Sequence, residues 1–523
     1  MIDINATHFP RASFNPEQKN TNIAIQVYGR RFLSDQTPIE YLSEFLLVFS
    51  SKKSEQKLSS TELRDNSSEN SFDILESSKY YYPKSRLPLK FFSFFSQSKL
   101  DTRHPIHQES FLEALETLKS HTQKGLSDSD KSNLINSLQN LLYGFVGVAN
   151  NRTWSTYSFM PITRSLLGRE ITWSHSSKEY ASWEESTESF SVGDHNFMAR
   201  GGEALFLQLA YLFSNDPSIQ STLSSISENS AYQHLDFNLS DLKYNLEIEL
   251  EKLLESETHQ LEEICEFIET ALKDYDINDS DTKPATLATV PKCYVIESFL
   301  FANEMLGLLR SKISKLEKIE LLQQLCVLQV LRSIMARSSQ IDKNIKLTKN
   351  FHGNYTWIVC SPSATTKDNV RKLAESSYNK SEEVIYRVMR SIGKDKKLEQ
   401  KQYRQVDKHS SDVFRRMSKN IGLVIPYKGA GQRFVLTPSL IRLFVYSLIE
   451  SGTRIKLNDF LNRVYTHFGI AIEGKQIQEA IVWQLEQSDN SVLNIDVSWV
   501  EEDLKQSGLL IELSDAISIV ENP

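Results

Sequence analysis

The sequence predicts a mainly α fold with small β-hairpins, in which a helical N-terminal and central body is followed by C-terminal tandem winged-helix-like domains. Three observations predict it. Two tracts, about 240–274 and 294–337, carry apolar residues at helical spacing, among them Leu246, Leu250, Leu253 and later Leu306, Leu309, Ile313 and Leu316. The stretch Asn420-Ile-Gly-Leu-Val-Ile-Pro-Tyr-Lys-Gly-Ala-Gly-Gln-Arg-Phe-Val-Leu-Thr437 reads as a glycine-turned hairpin directly after a basic helix. No short repeat of the kind that marks a propeller or solenoid runs through the chain.

Composition bounds the problem. A chain of 523 residues is about three to four domains by length, long enough to bury several cores. With 40% hydrophobic and 24% charged residues it can bury enough apolar surface to offset chain entropy, which excludes wholesale disorder. Cys265, Cys293, Cys326 and Cys360 form no CxxC pair and have no histidine at zinc spacing, so they read as small core residues in a reducing, cytoplasmic compartment. The N-terminus lacks the basic start and apolar run of a secretory signal, and no uninterrupted apolar stretch approaches membrane length; no membrane association is expected. Charge is unevenly placed. The whole chain carries −8, whereas residues 367–433 hold 17 Lys or Arg against 8 Asp or Glu, a local +9.

Along the chain, residues 1–150 form a mixed N-terminal region. Ile23-Ala-Ile-Gln-Val-Tyr28 reads as a strand from its β-branched residues, and 38–49 as a helix with Pro38 in its first turn. The Ser-, Lys-, Glu- and Asn-rich stretch near 50–78 is expected to be a flexible surface loop. In the run Tyr80 to Phe95, aromatics alternate with basic residues. They could stack on single-stranded nucleic acid, but Phe91, Phe92, Phe94 and Phe95 read better as core. Two helices follow, about 109–121 and 129–148, then a helical body over 151–350 in which 200–213 opens an apolar helix.

The pattern changes near residue 365. Helices are expected at 366–375, 381–392 and 409–420, the third with Val413, Phe414 and Met417 inward, and the hairpin closes a basic winged-helix-like domain over 365–437. Residues 394–401 read as a linker. Gly429 and Gly431 supply the positive backbone angles of the turn. The third helix is placed to enter a major groove with Arg415, Arg416 and Lys419 outward, while Lys428 and Arg433 on the wing meet phosphates of double-stranded DNA. A second, acidic domain over 438–523 repeats the grammar, with helices at 439–450, 457–468, 474–487 and 501–508 and a two-stranded wing turning at Ser514-Asp515. Its acidic surface suits other protein subunits better than DNA.

Signs of catalysis are sparse. Asp194-His195 before Arg200-Gly-Gly-Glu203 combines a carboxylate to orient an imidazole with an arginine for developing charge, the elements of a nuclease or nucleotide-acting enzyme. The same residues can equally start and satisfy a helix, and that structural reading is preferred. His104-Pro-Ile-His107 has no third ligand at metal spacing, so neither a metal nor a cofactor is expected. A phosphate-cradling GxxxxGK[ST] loop, a GxSxG elbow and an HExxH helix are absent.

The phrases Asn151-Arg-Thr-Trp154, Arg200-Gly-Gly-Glu203, Gly422-Leu-Val-Ile-Pro426 and Phe460-Leu-Asn-Arg-Val-Tyr-Thr-His-Phe-Gly469 resemble those of poorly characterised bacterial proteins encoded with anti-phage defence or restriction systems. The resemblance implies a non-catalytic component of a multi-protein, DNA-directed assembly. A pure protein scaffold is the remaining alternative.

Overall fold

A computed structural model describes residues 8–11, 22–29, 32–33, 35–64, 71–98, 105–148, 152–174, 179–192, 200–255, 259–276, 280–342, 353–395, 397–474, 476–478, 480, 497–514 and 517–523. The fold is mainly helical with small strand pairs. Its axis is the helix Lys315–Ile341, started by Ser314, whose side chain accepts from the Glu317 N–H. No Gly or Pro interrupts it. The helices Pro38–Phe49, Arg200–Leu212, Val295–Arg310, Asn369–Asp395 and Ser411–Asn420 pack around it. By length and composition this axial helix could cross a membrane, but most of its apolar stretch is buried inside the protein and it carries a buried Arg332.

Two large hydrophobic clusters organise the described residues, with two small ones beside them. The larger gathers Phe9 to Tyr81, most of the central helices and both C-terminal units into one cluster. The smaller is aromatic: Phe91, Phe94, Phe95, Trp154, Trp183 and Phe190 meet Cys265 and Ile268 from the helix His259–Ala271. Residues on both sides of 150 contribute to the smaller of these two, and the 365–437 and 438–523 units contribute to the larger while small clusters form around Ile358 and Cys360. Strand pairing ties the same distant segments, His8–Phe9 with Val290–Pro291 and Tyr80–Tyr82 between Lys52–Ser54 and Ala285–Thr286.

Several elements differ from expectation for identifiable reasons. Ile23–Tyr28 is a helix and not a strand, because the Asn22 side chain caps its start and Gly29, at φ +84°, ends it in the left-handed conformation. The 50–78 stretch contributes the strand Lys52–Ser54, the short helix Ser60–Arg64 and Phe72, which is buried against Phe45, Phe49 and Phe206. Phe91, Phe92, Phe94 and Phe95 are buried as the core reading requires, whereas Lys84 of the same run is exposed.

In the C-terminal region, the two helices expected at 366–375 and 381–392 are one helix, Asn369–Asp395. Nothing between them breaks a helix: Ser377 and Tyr378 are buried, and the Ser381 hydroxyl donates to the Ser377 carbonyl. The stretch 394–401 expected as a linker is partly taken up by helix ends, since Asn369–Asp395 runs into it and Gln400–Lys408 starts within it. The hairpin pairs Val424–Ile425 with Arg433–Phe434, turning through Gly429 and Gly431 at φ +100° and +77°. In the 438–523 unit come the helix Pro438–Leu448, the strand Thr453–Lys456, the helices Leu457–Phe468 and Ser498–Gln506, and the strands Leu510–Ser514 and Ile517–Asn522. The last strand lies in the middle of three antiparallel strands. The Ser514-Asp515 turn falls at the edge of the described residues, and most of 474–487 lies outside them. The segment from Trp357 joins the two units: it pairs in parallel with Ile470–Ala471, and Cys360 bridges to Val435 beside the hairpin.

Candidate nucleic-acid interface and a buried histidine network

The helix Ser411–Asn420 presents one face to the core and one to solvent. Val413, Phe414 and Met417 are fully buried, and Phe414 approaches Trp357 and Phe434. Arg416 is exposed on the other face, and Lys419 is half-buried. At the hairpin tip Tyr427, Lys428, Gly429 and Ala430 are exposed, and the Tyr427 hydroxyl lies 3.5 Å from the Asn420 amide oxygen. Among the described residues no ion pair engages Arg416 or Lys428. Burial, then the adjacent Arg415 charge, lowers the Lys419 pKa from its ordinary value.

Two of the five expected DNA-contacting cations behave differently. Arg415 is committed within the protein: its Nε is 2.7 Å from Glu382 and a terminal nitrogen 3.5 Å from Asp412. Arg433 is buried at 6% exposure and donates to the Pro362 carbonyl at 3.2 Å. This corrects its placement on the wing surface. Alternation along the strand puts Phe434 among Trp357, Tyr378 and Phe414, and the neighbouring Arg433 side chain under the Pro362 segment. Arg371, which the sequence did not single out, borders the hairpin instead. A Cβ added at Gly431 would lie 3.9 Å from its guanidinium, and its other terminal nitrogen donates to the Ala364 carbonyl. Exposed Lys367 and Lys372 flank it in sequence. Its position depends on the fold of the hairpin back onto the long helix, which no local pattern encodes.

Of the four catalytic candidates, Glu203 alone has a described side chain. Asp194 and His195 lie outside the described residues, as does the Arg200 side chain. Glu203 is fully buried; its Oε1 accepts the Ala288 N–H at 2.6 Å, and its own N–H donates to Glu44 at 3.3 Å. An added Cβ at Gly201 or Gly202 would collide with Tyr41. These glycines let the Arg200–Leu212 helix lie directly on Pro38–Phe49, so within this phrase Gly201, Gly202 and Glu203 serve packing. His104 lies outside the described residues, and His107 is buried among Trp154, Trp173, Trp183 and Phe190 with its Nε2 3.3 Å from the Ser186 hydroxyl.

A different constellation, unseen in the sequence, lies between the body and the 438–523 unit. Arg332 of the axial helix grips both oxygens of Glu304 at 2.8 and 2.9 Å and donates to the His467 carbonyl at 2.8 Å. Gln329 and Gln208 extend the network. Glu304 is completely buried. Burial alone would raise its pKa, yet the Arg332 charge and the His467 ring outweigh that and leave it lowered. His467 Nδ1 sits 2.9 Å from Glu304 Oε1, and its Nε2 lies 3.0 Å from Nε2 of His234. Both imidazoles border a cavity of about 540 Å³ that also meets Asn245, Asn303, Arg310 and Arg463. Burial, then His467 and Arg463, push the His234 pKa down to about 3. These residues come from positions 234, 304, 332 and 467, too far apart for any spacing rule.

No protein-family model matches the chain, and neither the curated proteins nor the solved structures contain a match to it.

Proposed function

We propose that the protein is a non-catalytic component of a bacterial multi-protein defence or restriction-like system, binding double-stranded DNA through residues 365–437 and docking protein through residues 438–523. The carrying observation is the exposed cationic edge formed by Arg416 and Lys428, with Lys419 beside them, on a helix and hairpin inside a chain of net charge −8. Arg371 extends that edge around the hairpin. Both units are read as winged-helix-like. In 438–523 the described order helix, strand, helix, short strand Ile470–Ala471, helix, hairpin, with the last strand central, supports this reading. In 365–437 the helix leading straight into a glycine-turned wing supports it, with Asn369–Asp395 taking the place of two helices.

On this reading Arg416, Lys419 and Lys428 neutralise phosphates, and their counterion release makes affinity fall with salt. Arg433 is withdrawn from the contact set and Arg415 contributes less than its position suggests. Mobility-shift titration of the full chain on duplex DNA at several salt concentrations tests the reading. Binding with a salt slope of about −3 is expected for three phosphate contacts. Failure to bind any duplex, or binding without a salt slope, would overturn it in favour of a scaffold.

A further inference from the structure

Four cations, Lys52, Lys84, Arg86 and Arg164, line a cavity of about 210 Å³, and only two of them are balanced. Lys52 faces Tyr82 across the antiparallel strands Lys52–Ser54 and Tyr80–Tyr82, Lys84 and Arg86 follow on the same segment, and Arg164 arrives from the turn Arg164–Leu166. Lys84 lies 3.1 Å from Asp281, the one carboxylate among the lining residues, whose other oxygen accepts the Ser85 N–H at 2.6 Å. Arg164 lies 2.6 Å from Glu251. Lys52 and Arg86 instead donate to carbonyl oxygens, Lys52 to Glu62 at 2.6 Å and Arg86 to Leu167 and Arg164 at 3.3 Å each. Among the described residues no ion pair engages either. The Glu62 carboxylate is committed to Ser59, and Glu269 accepts the Leu89 N–H, its pKa pushed up to about 7 by burial against the opposing Arg86 charge.

Arg86 is also held in a backbone conformation that long side chains rarely adopt, at φ +55°. The Ser85 bond to Asp281 and a 2.7 Å bond from the Arg169 N–H to the Lys84 carbonyl fix the segment on either side. Gly168 makes room for the side chain, since an added Cβ there would lie 2.9 Å from Arg86 Cγ. Strain that the surroundings impose in this way collects at ligand clamps. Donors remain for a ligand. The Arg86 guanidinium uses two of its five N–H groups and the Lys52 ammonium one of its three. The Tyr82 hydroxyl accepts the Leu58 N–H at 2.6 Å, so its own proton is left to donate.

We propose that this cavity binds a phosphate dianion, free or as the terminal monoester group of a small molecule, with Arg86 and Lys52 supplying charge and Tyr82 a hydrogen bond. Two unbalanced cations match the two charges of the dianion, and its acceptor oxygens suit a planar guanidinium beside a point charge. The volume is below the about 300–1,000 Å³ of pockets that enclose a drug-sized ligand, so the organic part of a monoester lies outside. No residue of 365–437 lines the cavity, which makes it a site separate from the proposed DNA contact.

The test is calorimetric titration of the full chain with inorganic phosphate, with adenosine 5′-monophosphate and with adenosine. One equivalent of phosphate is expected to bind, and adenosine is expected not to. A monophosphate that binds as well as phosphate identifies a monoester as the ligand, and one that is excluded identifies the free ion. Arg86→Gly removes the guanidinium while suiting the left-handed backbone, so phosphate binding should weaken at least tenfold with no fall in the unfolding midpoint. Lys52→Gln should weaken it as well, and Lys252→Gln, on an exposed lysine elsewhere, should leave it intact. Absence of saturable binding by either phosphate probe, or binding indifferent to Arg86→Gly and Lys52→Gln, would overturn the proposal.

Discussion

The basic 365–437 unit and the acidic 438–523 unit both end in a hairpin that follows a short helix, yet they turn opposite faces outward. The first carries 17 Lys or Arg against 8 Asp or Glu, the second 6 against 13. In the first the hairpin tip stands free, with Tyr427 to Ala430 exposed around a glycine turn. In the second the hairpin is drawn inward: Asn522 is fully buried and donates to the Ile449 carbonyl at 2.6 Å and to Ser311 of the body at 3.3 Å. The helix Pro438–Leu448 lies so close to Val295–Arg310 that a Cβ at Gly307 would meet the Ser447 carbonyl. Similar local patterns thus yield one free tip and one anchored strand. What separates them is the tertiary surface each meets.

The strongest way to break that contrast is to cut the anchor. Arg332→Met leaves Glu304 as an uncompensated buried charge, which costs about 3–5 kcal/mol. Chemical denaturation should show the loss, and hydrogen exchange should place it first in the Leu457–Phe468 helix. A protein that loses less than about 1 kcal/mol would mean that the pair is not what holds the acidic unit.

The next effect falls on the free tip. Arg416→Glu with Lys428→Glu should reduce the salt slope of DNA binding by about 2, one for each phosphate contact removed, without changing the unfolding midpoint. A comparable double reversal in the acidic unit, Glu501→Lys with Glu502→Lys, is expected to leave the slope unchanged. If it does change the slope, charge alone and not the basic edge governs binding.

A smaller effect separates the cations by burial. Arg433→Met removes a charged donor from the Pro362 carbonyl and should cost about 1–3 kcal/mol of stability while leaving the salt slope of DNA binding intact. Should the slope instead fall by about 1, Arg433 reaches phosphate and its buried position is not the binding one.

Much of the helical architecture could be read from local chemistry. Pro38–Phe49 starts with Thr37, Pro38 and Glu40, a capping box that announces itself, and the hairpin turn is written in Gly429 and Gly431. Ile23–Tyr28 was legible too, since Asn22 and Gly29 are cap signals, but β-branched propensity outweighed them. Arg433 was misplaced because exposure depends on what covers a strand, here a segment 71 residues away. The pairing of His234 with His467 spans 233 residues and leaves no local trace.

The subtlest difference between the units should appear with acid. His234 is neutral because burial, with His467 and Arg463 nearby, holds its folded pKa at about 3, below the ordinary 6.5. The unfolded chain takes up a proton first, so the stability tied to the neutral ring is complete above pH 6.5 and is lost as pH falls toward about 3. The lowered pKa of Glu304 acts in the same direction below the ordinary carboxylate range. Acid should therefore loosen the Leu457–Phe468 helix before the Val424–Phe434 hairpin, as read by amide exchange at successive pH values. His234→Gln, which does not titrate, should make the pH dependence of stability shallower between pH 6.5 and 3. An unchanged slope would move the acid sensitivity away from this pair and remove the distinction between an acid-sensitive anchor and an acid-indifferent tip.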